Sequence, residues 1–137
     1  MAVERINVPG LSEAIAARGV PLSVATRANG FAFISGLPPI DPETGKMIKG
    51  DVVTQLRQAM SNLSLALKHA GSSLESTVML TIYVSNSGFF AAINDAYRDY
   101  FPGFPPARTC VTVGSWPFEA DLEVEAIAAI DSVQHRG

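Results

Sequence analysis

The chain has 137 residues, of which 47% are hydrophobic and only 17% charged, and a formal net charge of −3. That length fits one domain, residues 1–137, long enough to bury a core without staples. The Lys and Arg are scattered, so no basic stripe forms and the electrostatics argue against a nucleic-acid partner.

The single cysteine, Cys110, excludes an internal disulfide and a thiolate zinc site, and His69 and His135 lack ligand-like spacing, so no metal is expected. No apolar stretch approaches membrane-spanning length. Met1–Pro9 carries Glu4 and Arg5 in place of an apolar leader core, and the expectation is a cytoplasmic protein with no membrane partner. A charged share well under the usual ~25% leaves a small domain short of polar cover, so part of its surface is expected to be buried against other copies.

In chain order, the first 20 residues offer one short helical turn between Ser12 and Arg18. Leu22–Ala28 is strand-compatible, Asn29-Gly30 is a hairpin turn signal, and Phe31–Ser35 is the returning strand. Gly36–Gly50 reads as a loop, with turn chemistry at Asp41-Pro42-Glu43-Thr44-Gly45. Asp51 is placed to cap a helix in which Val52, Leu56, Ala59, Met60, Leu63, Leu67 and Ala70 recur at helical spacing, closed by Gly71. Thr77–Val84 alternates as a strand, with Val78, Leu80, Ile82 and Val84 on one side. Phe90, Ile93, Tyr97 and Phe101 mark a second helix stopped by Pro102. Arg108–Val113 and Asp121–Ile130 are the last two strands, and Trp116 and Pro117 shape the loop between them.

The predicted order β-β-α-β-α-β-β is an α+β fold, with two helices on one face of a mixed sheet. In the last strand Leu122, Val124, Ala126, Ala128 and Ile130 suit the helix-covered side. Asp121, Glu123, Glu125, Ile127 and Ala129 point the other way. That second face starts acidic and becomes apolar, which is a second reason to expect an oligomer.

Arg108 opens a strand after the Pro-rich segment Phe104-Pro105-Pro106, and a guanidinium offers a planar fork that fits a carboxylate. Read alone, such an arginine is more often a solvated strand-end residue. Glu125 beside Ile127 and Ala129 is a candidate acid–base, against the commoner reading of a rim charge or structural ion pair. Cys110 shares Arg108's strand face, but no histidine lies nearby in sequence to activate it, and a buried structural thiol is the commoner outcome. Asn94 inside the second helix is most simply an exposed polar position. Tyr83 and Tyr97 read as packing residues.

Several segments taken together change these weights. They are Phe33-Ile34-Ser35-Gly36, the Asp41–Gly45 loop, Asn94-Asp95-Ala96-Tyr97, Pro106-Ala107-Arg108-Thr109-Cys110-Val111 and Val124-Glu125-Ala126-Ile127-Ala128. In this order and spacing, over Leu22–Ile130, they resemble the reactive-intermediate deaminase (Rid) family. The resemblance implies a chorismate-mutase-like fold assembled as a homotrimer with sites between subunits. It implies a cofactor-free hydrolase of the 2-iminobutanoate/2-iminopropanoate deaminase type, acting on small enamine and imine carboxylates such as 2-aminoacrylate. Arg108 matches the residue that binds the substrate carboxylate and Glu125 the one associated with the reacting water. Gly36, Asn94 and Cys110 match positions at the pocket. Two departures stand out: Leu37 replaces the usual Gln after Ser-Gly, and Leu22 the usual Tyr after Pro. Both are expected to make the surroundings more apolar, which leaves room for a larger substrate such as an aminomuconate-like compound. The other readings carried forward are a non-catalytic metabolite- or partner-binding trimer and an endoribonuclease, the latter disfavoured by the acidic balance.

Overall fold

The computed structural model describes residues 2–115 and 119–131. The expected role of Trp116 and Pro117, and the position of His135, fall outside them.

Strand β1, Glu4–Ile6, is followed by helix α1, Leu11–Ala17. Sequence pattern offered no strand at β1, because three residues carry no readable alternation. It exists by pairing with β2, Ala25–Ala28, where Ile6 sits opposite Ala25. Helix α1 is longer than the single turn expected. Leu11, Ala14 and Ile15 bury one side of it, and the Gly10 amide donates to Glu13 Oε1 at 2.7 Å, which closes its first turn.

Strand β3, Phe31–Leu37, returns antiparallel to β2 through a two-residue turn. Asn29 and Gly30 have φ of 55° and 84°, the left-handed pair that a type I′ hairpin requires. Helix α2, Val52–His69, starts where Asp51 Oδ1 accepts from the Thr54 amide at 2.8 Å. It ends where the Ser72 and Gly71 amides donate back to the carbonyls of Leu67 and Lys68, with Gly71 at φ 83°. Buried Asn62 of α2 donates through Nδ2 to the carbonyls of Pro38 and Ile40, and so fastens the loop after β3 to the helix.

Strand β4 is Thr77–Val84 and helix α3 is Phe90–Tyr97. The helix is shorter than its apolar spacing suggested, because a 3-10 turn at Arg98–Tyr100 carries the chain on to Phe101. Strands β5, Ala107–Thr112, and β6, Leu122–Ala129, complete a six-stranded sheet of order β1-β2-β3-β6-β4-β5. The β4–β5 pair is parallel and the other neighbours are antiparallel. The fold is therefore mixed α+β, as expected, with β1 the element not foreseen and α1 longer than the turn expected there.

The alternation in β6 runs as predicted. Leu122, Val124, Ala126 and Ala128 are buried with Leu56, Met60 and Leu63 of α2 in one core. Glu123, Glu125, Ile127 and Ala129 line the opposite, open face. Phe31 and Phe33 of β3 pair with Ala129 and Ile127 there, and both rings stay partly exposed, as does Val111 of β5.

Two side chains depart from their expected sides, both at bulges. The register shift between Thr77 and Met79 turns Val78 out of the core, 47% exposed. The shift between Ile34 and Leu37 turns Leu37 fully into the core opposite Val124. Leu37 thus does not make a site surface more apolar, contrary to expectation. Leu22 is exposed.

Candidate functional site

Strand β5 is an edge strand, and its alternation divides the candidate residues between the two faces of the sheet. Arg108 pairs with buried Leu80 and Cys110 with buried Ile82, so both lie on the helix side. Thr109 pairs with Thr81, which in turn pairs with Glu125, so these lie on the open side.

On the helix side the Arg108 guanidinium rests on α3. Its Nη2 donates to Asn94 Oδ1 at 2.8 Å. Its central carbon lies 4.8 Å from the Tyr97 ring centroid and 5.7 Å from that of Phe90. Two aromatic faces and one amide oxygen fix the plane of the cation without neutralising it. Among the described residues Arg108 has no carboxylate partner. Asn94 is therefore not a bystander on a solvated helix face, and Tyr97 is more than packing. The Tyr97 hydroxyl is buried with no hydrogen-bond partner among the described residues. Burial raises its pKa above the ordinary phenol value, while the Arg108 charge opposes the rise. Burial likewise pushes the Cys110 thiol up, again opposed by Arg108. A thiol held protonated beside no base is a poor nucleophile.

On the open face Glu125 Oε2 accepts a hydrogen bond from the Tyr83 hydroxyl at 2.9 Å. Sequence reasoning had Tyr83 as packing and did not single out Glu123. Both belong to one polar cluster, since Tyr83 of β4 lies directly across from Glu123 of β6. Burial first, and then the neighbouring Glu125 charge, raise Glu123 above the usual carboxylate range. The Glu125 hydrogen bond raises the Tyr83 phenol, with burial adding to it. Phe33, Met79, Thr81, Glu125 and Ile127 line a shallow cleft of about 160 Å³ beside this cluster. Gly36 lies against Glu123. A Cβ there would meet the Glu123 carboxylate, so what approaches the Gly36 backbone within one chain is Glu123.

The chain thus gathers Arg108, Asn94 and Cys110 on one side of the sheet, and Gly36 and Glu125 on the other. The body of the sheet stands between the two groups within one chain.

The sequence model of the family described as Endoribonuclease L-PSP matches residues 12–130. A RutC family protein of Pyrococcus horikoshii is 42% identical over 108 residues, which is 79% of this chain and 86% of that one. The 2-iminobutanoate/2-iminopropanoate deaminase of Mus musculus is 36% identical over 108 residues, 79% of this chain and 80% of the mouse protein. The crystal structure of YyfA from Yersinia pestis, of the conserved Rid protein family, superposes with a TM-score of 0.86 at 35% identity, and the match covers 94% of this chain and 100% of that one. With matches of this extent in both sequence and fold, the chain belongs to the RidA/YjgF family, the group described as Endoribonuclease L-PSP.

Proposed function

We propose that the protein is a deaminase that hydrolyses small enamine or imine carboxylates to 2-keto acids and ammonia, in sites completed between the copies of a homotrimer. The observation that carries this reading is the state of Arg108. It is held flat by Asn94, Tyr97 and Phe90, with no carboxylate of its own among the described residues. A substrate carboxylate supplies the missing partner, and the fork that binds it orients the adjacent imine carbon.

The chemistry then needs a water and proton movement. Glu125 takes a proton as the water oxygen bonds to the imine carbon, and the C=N bond becomes a C–N bond on a tetrahedral carbon. That proton passes to nitrogen, giving the amino alcohol; Glu125 then takes the hydroxyl proton as the carbonyl forms, this second proton also reaches nitrogen, and the C–N bond breaks to release ammonia. Arg108 and Glu125 lie on opposite faces of the same sheet, so a second copy has to bring its open face to the Arg108 edge of the first. The partly exposed Phe31, Phe33 and Ile127 around Glu125 suit such an interface.

The test is ammonia release, with a dehydratase generating the enamine in place. Wild type accelerates release over buffer. Arg108→Ala, shown folded by circular dichroism, loses at least about 30-fold in kcat/KM, from the ~2–5 kcal/mol that removal of one partner of a buried charge contact costs. Equal rates for the two proteins refute the reading. A Glu125→Gln protein with unchanged activity would instead favour a binding module that needs no acid.

A further inference from the structure

We propose that Tyr83 is a positioning residue for the hydrolytic carboxylate, holding Glu125 through its hydroxyl so that one carboxylate oxygen stays aimed at the reacting water. This rests on the deaminase reading above and deepens it at the same site.

The geometry comes from three strands. Strand β6 lies between β3 and β4, so the Glu125 side chain is flanked on both sides within the open face. From β4, Thr81 stands opposite Glu125, and Tyr83 stands one pleat further along, opposite Glu123. The phenol therefore reaches diagonally to Glu125, and its hydroxyl donates to Oε2 at 2.9 Å. Among the described residues Oε1 takes no hydrogen bond from the protein, which leaves it for a water. From β3, Phe33 shares the cleft with Glu125, and Gly36 sits under Glu123. Neither can hydrogen-bond the Glu125 carboxylate through a side chain. Tyr83 from β4 and Glu123 from β6 itself are the ionisable side chains near Glu125 on this face among the described residues.

A glutamate has three rotatable bonds, and an unheld carboxylate at a sheet face samples several orientations. One bond to a rigid ring, itself fixed by the strand, selects among them. The choice of oxygen matters: a bond at Oε2 both fixes the plane and leaves the second oxygen to accept from water. The shape of the tyrosine ring is not what the role requires. A phenylalanine fills the same volume and lacks only the donor.

Tyr83→Phe is therefore the discriminating variant. The expected result is a fall of about tenfold in kcat with KM unchanged, because the substrate anchor at Arg108 is untouched. In a Glu125→Gln background the same change has no further effect, since the two residues act as a unit. A role in packing alone would lower activity by the same factor in both backgrounds. The hydrogen bond itself is read without activity, from tyrosine labelled with carbon-13 at the ring carbon bearing oxygen and titrated at alkaline pH. The Tyr83 signal, identified by its loss in Tyr83→Phe, titrates above the ordinary 10.0 in wild type and moves down in Glu125→Gln. A Tyr83 titration unaffected by Glu125→Gln overturns the proposal. So does a Tyr83→Phe enzyme with wild-type kcat. A wild type inactive on every enamine tested overturns the deaminase reading, and the catalytic role of Tyr83 with it, and the titration then decides separately whether the bond exists.

Discussion

Placing aspartate at Phe33 is expected to dismantle the proposed homotrimer while leaving the subunit folded. Phe33 lies on the open face opposite Ile127 and is 40% exposed in the single chain. On an aromatic side chain of about 200 Å², that leaves about 80 Å² for a neighbouring copy to cover, worth ~2 kcal/mol. Forcing an unpaired carboxylate into the same contact adds a penalty of similar size or larger, for a total on the order of 4 kcal/mol per copy. That weakens each subunit contact by about a thousandfold. The measurement is light scattering coupled to gel filtration over a dilution series from high to low micromolar protein. Wild type should hold the mass of a trimer throughout, and Phe33→Asp should fall to a monomer with unchanged far-ultraviolet circular dichroism. Ser61→Asp adds the same charge to the exposed side of α2 and should leave the mass unchanged. A wild-type monomer, or a Phe33→Asp protein that keeps the wild-type mass, would refute the idea that the open face is an interface.

Other expectations are more local. Cys110→Ala should keep deaminase activity within a few-fold, and wild-type Cys110 should react slowly with iodoacetamide at neutral pH, because burial holds the thiol above its ordinary value. Loss of activity in Cys110→Ala, with the fold intact, would restore the thiol as a catalytic group. Asp51→Ala should lower the melting temperature by removing the cap on the Thr54 amide. Hydrogen bonds from Thr54 hold the Asp51 carboxyl below its ordinary 3.8. A group depressed in this way contributes fully above its unfolded value and loses that contribution as pH falls through the folded one. The difference in melting temperature between the two proteins should therefore be constant near neutrality and vanish in acid. A gap that persists at strongly acidic pH would show that the cap is not what was removed.

Much of this architecture was legible because its signals are local. Asn29-Gly30, Asp51 and Gly71 each act on the few residues around them, and turn and helix appear where those residues place them. Alternation in β6 likewise divided its side chains between two environments within a single strand. What was not legible depends on register. Nothing in the spacing of Tyr83 and Glu125 says that two strands lie side by side with one pleat of offset, so Tyr83 read as packing. Bulges defeat alternation for the same reason, since the extra residues near Val78 and Leu37 are defined only by the partner strand. Asn94 read as a surface residue because its partner is fourteen positions away on an edge strand, beyond any helical spacing. Arg108 was singled out by its place at a strand start after a Pro-rich segment, but only the resemblance to a family raised it above a solvated strand-end arginine. The physical basis of its role, two rings and an amide beneath a cation, is tertiary throughout.

The position of β6 also bears on how the protein is made. Among the described residues the β1–β2–β3 ribbon and the β4–β5 pair share no strand pairing of their own; β6, the last described strand, is bonded to both. During synthesis the ribosome therefore releases two incomplete sheets before the strand that joins them. Until β6 emerges, the inner edges of β3 and β4 stand open and Leu56, Met60 and Leu63 of α2 lack much of the surface they pack on. A chain stalled before Leu122 would present two unpaired edges and an uncovered helix, the combination that chaperones bind and that self-associates when they do not.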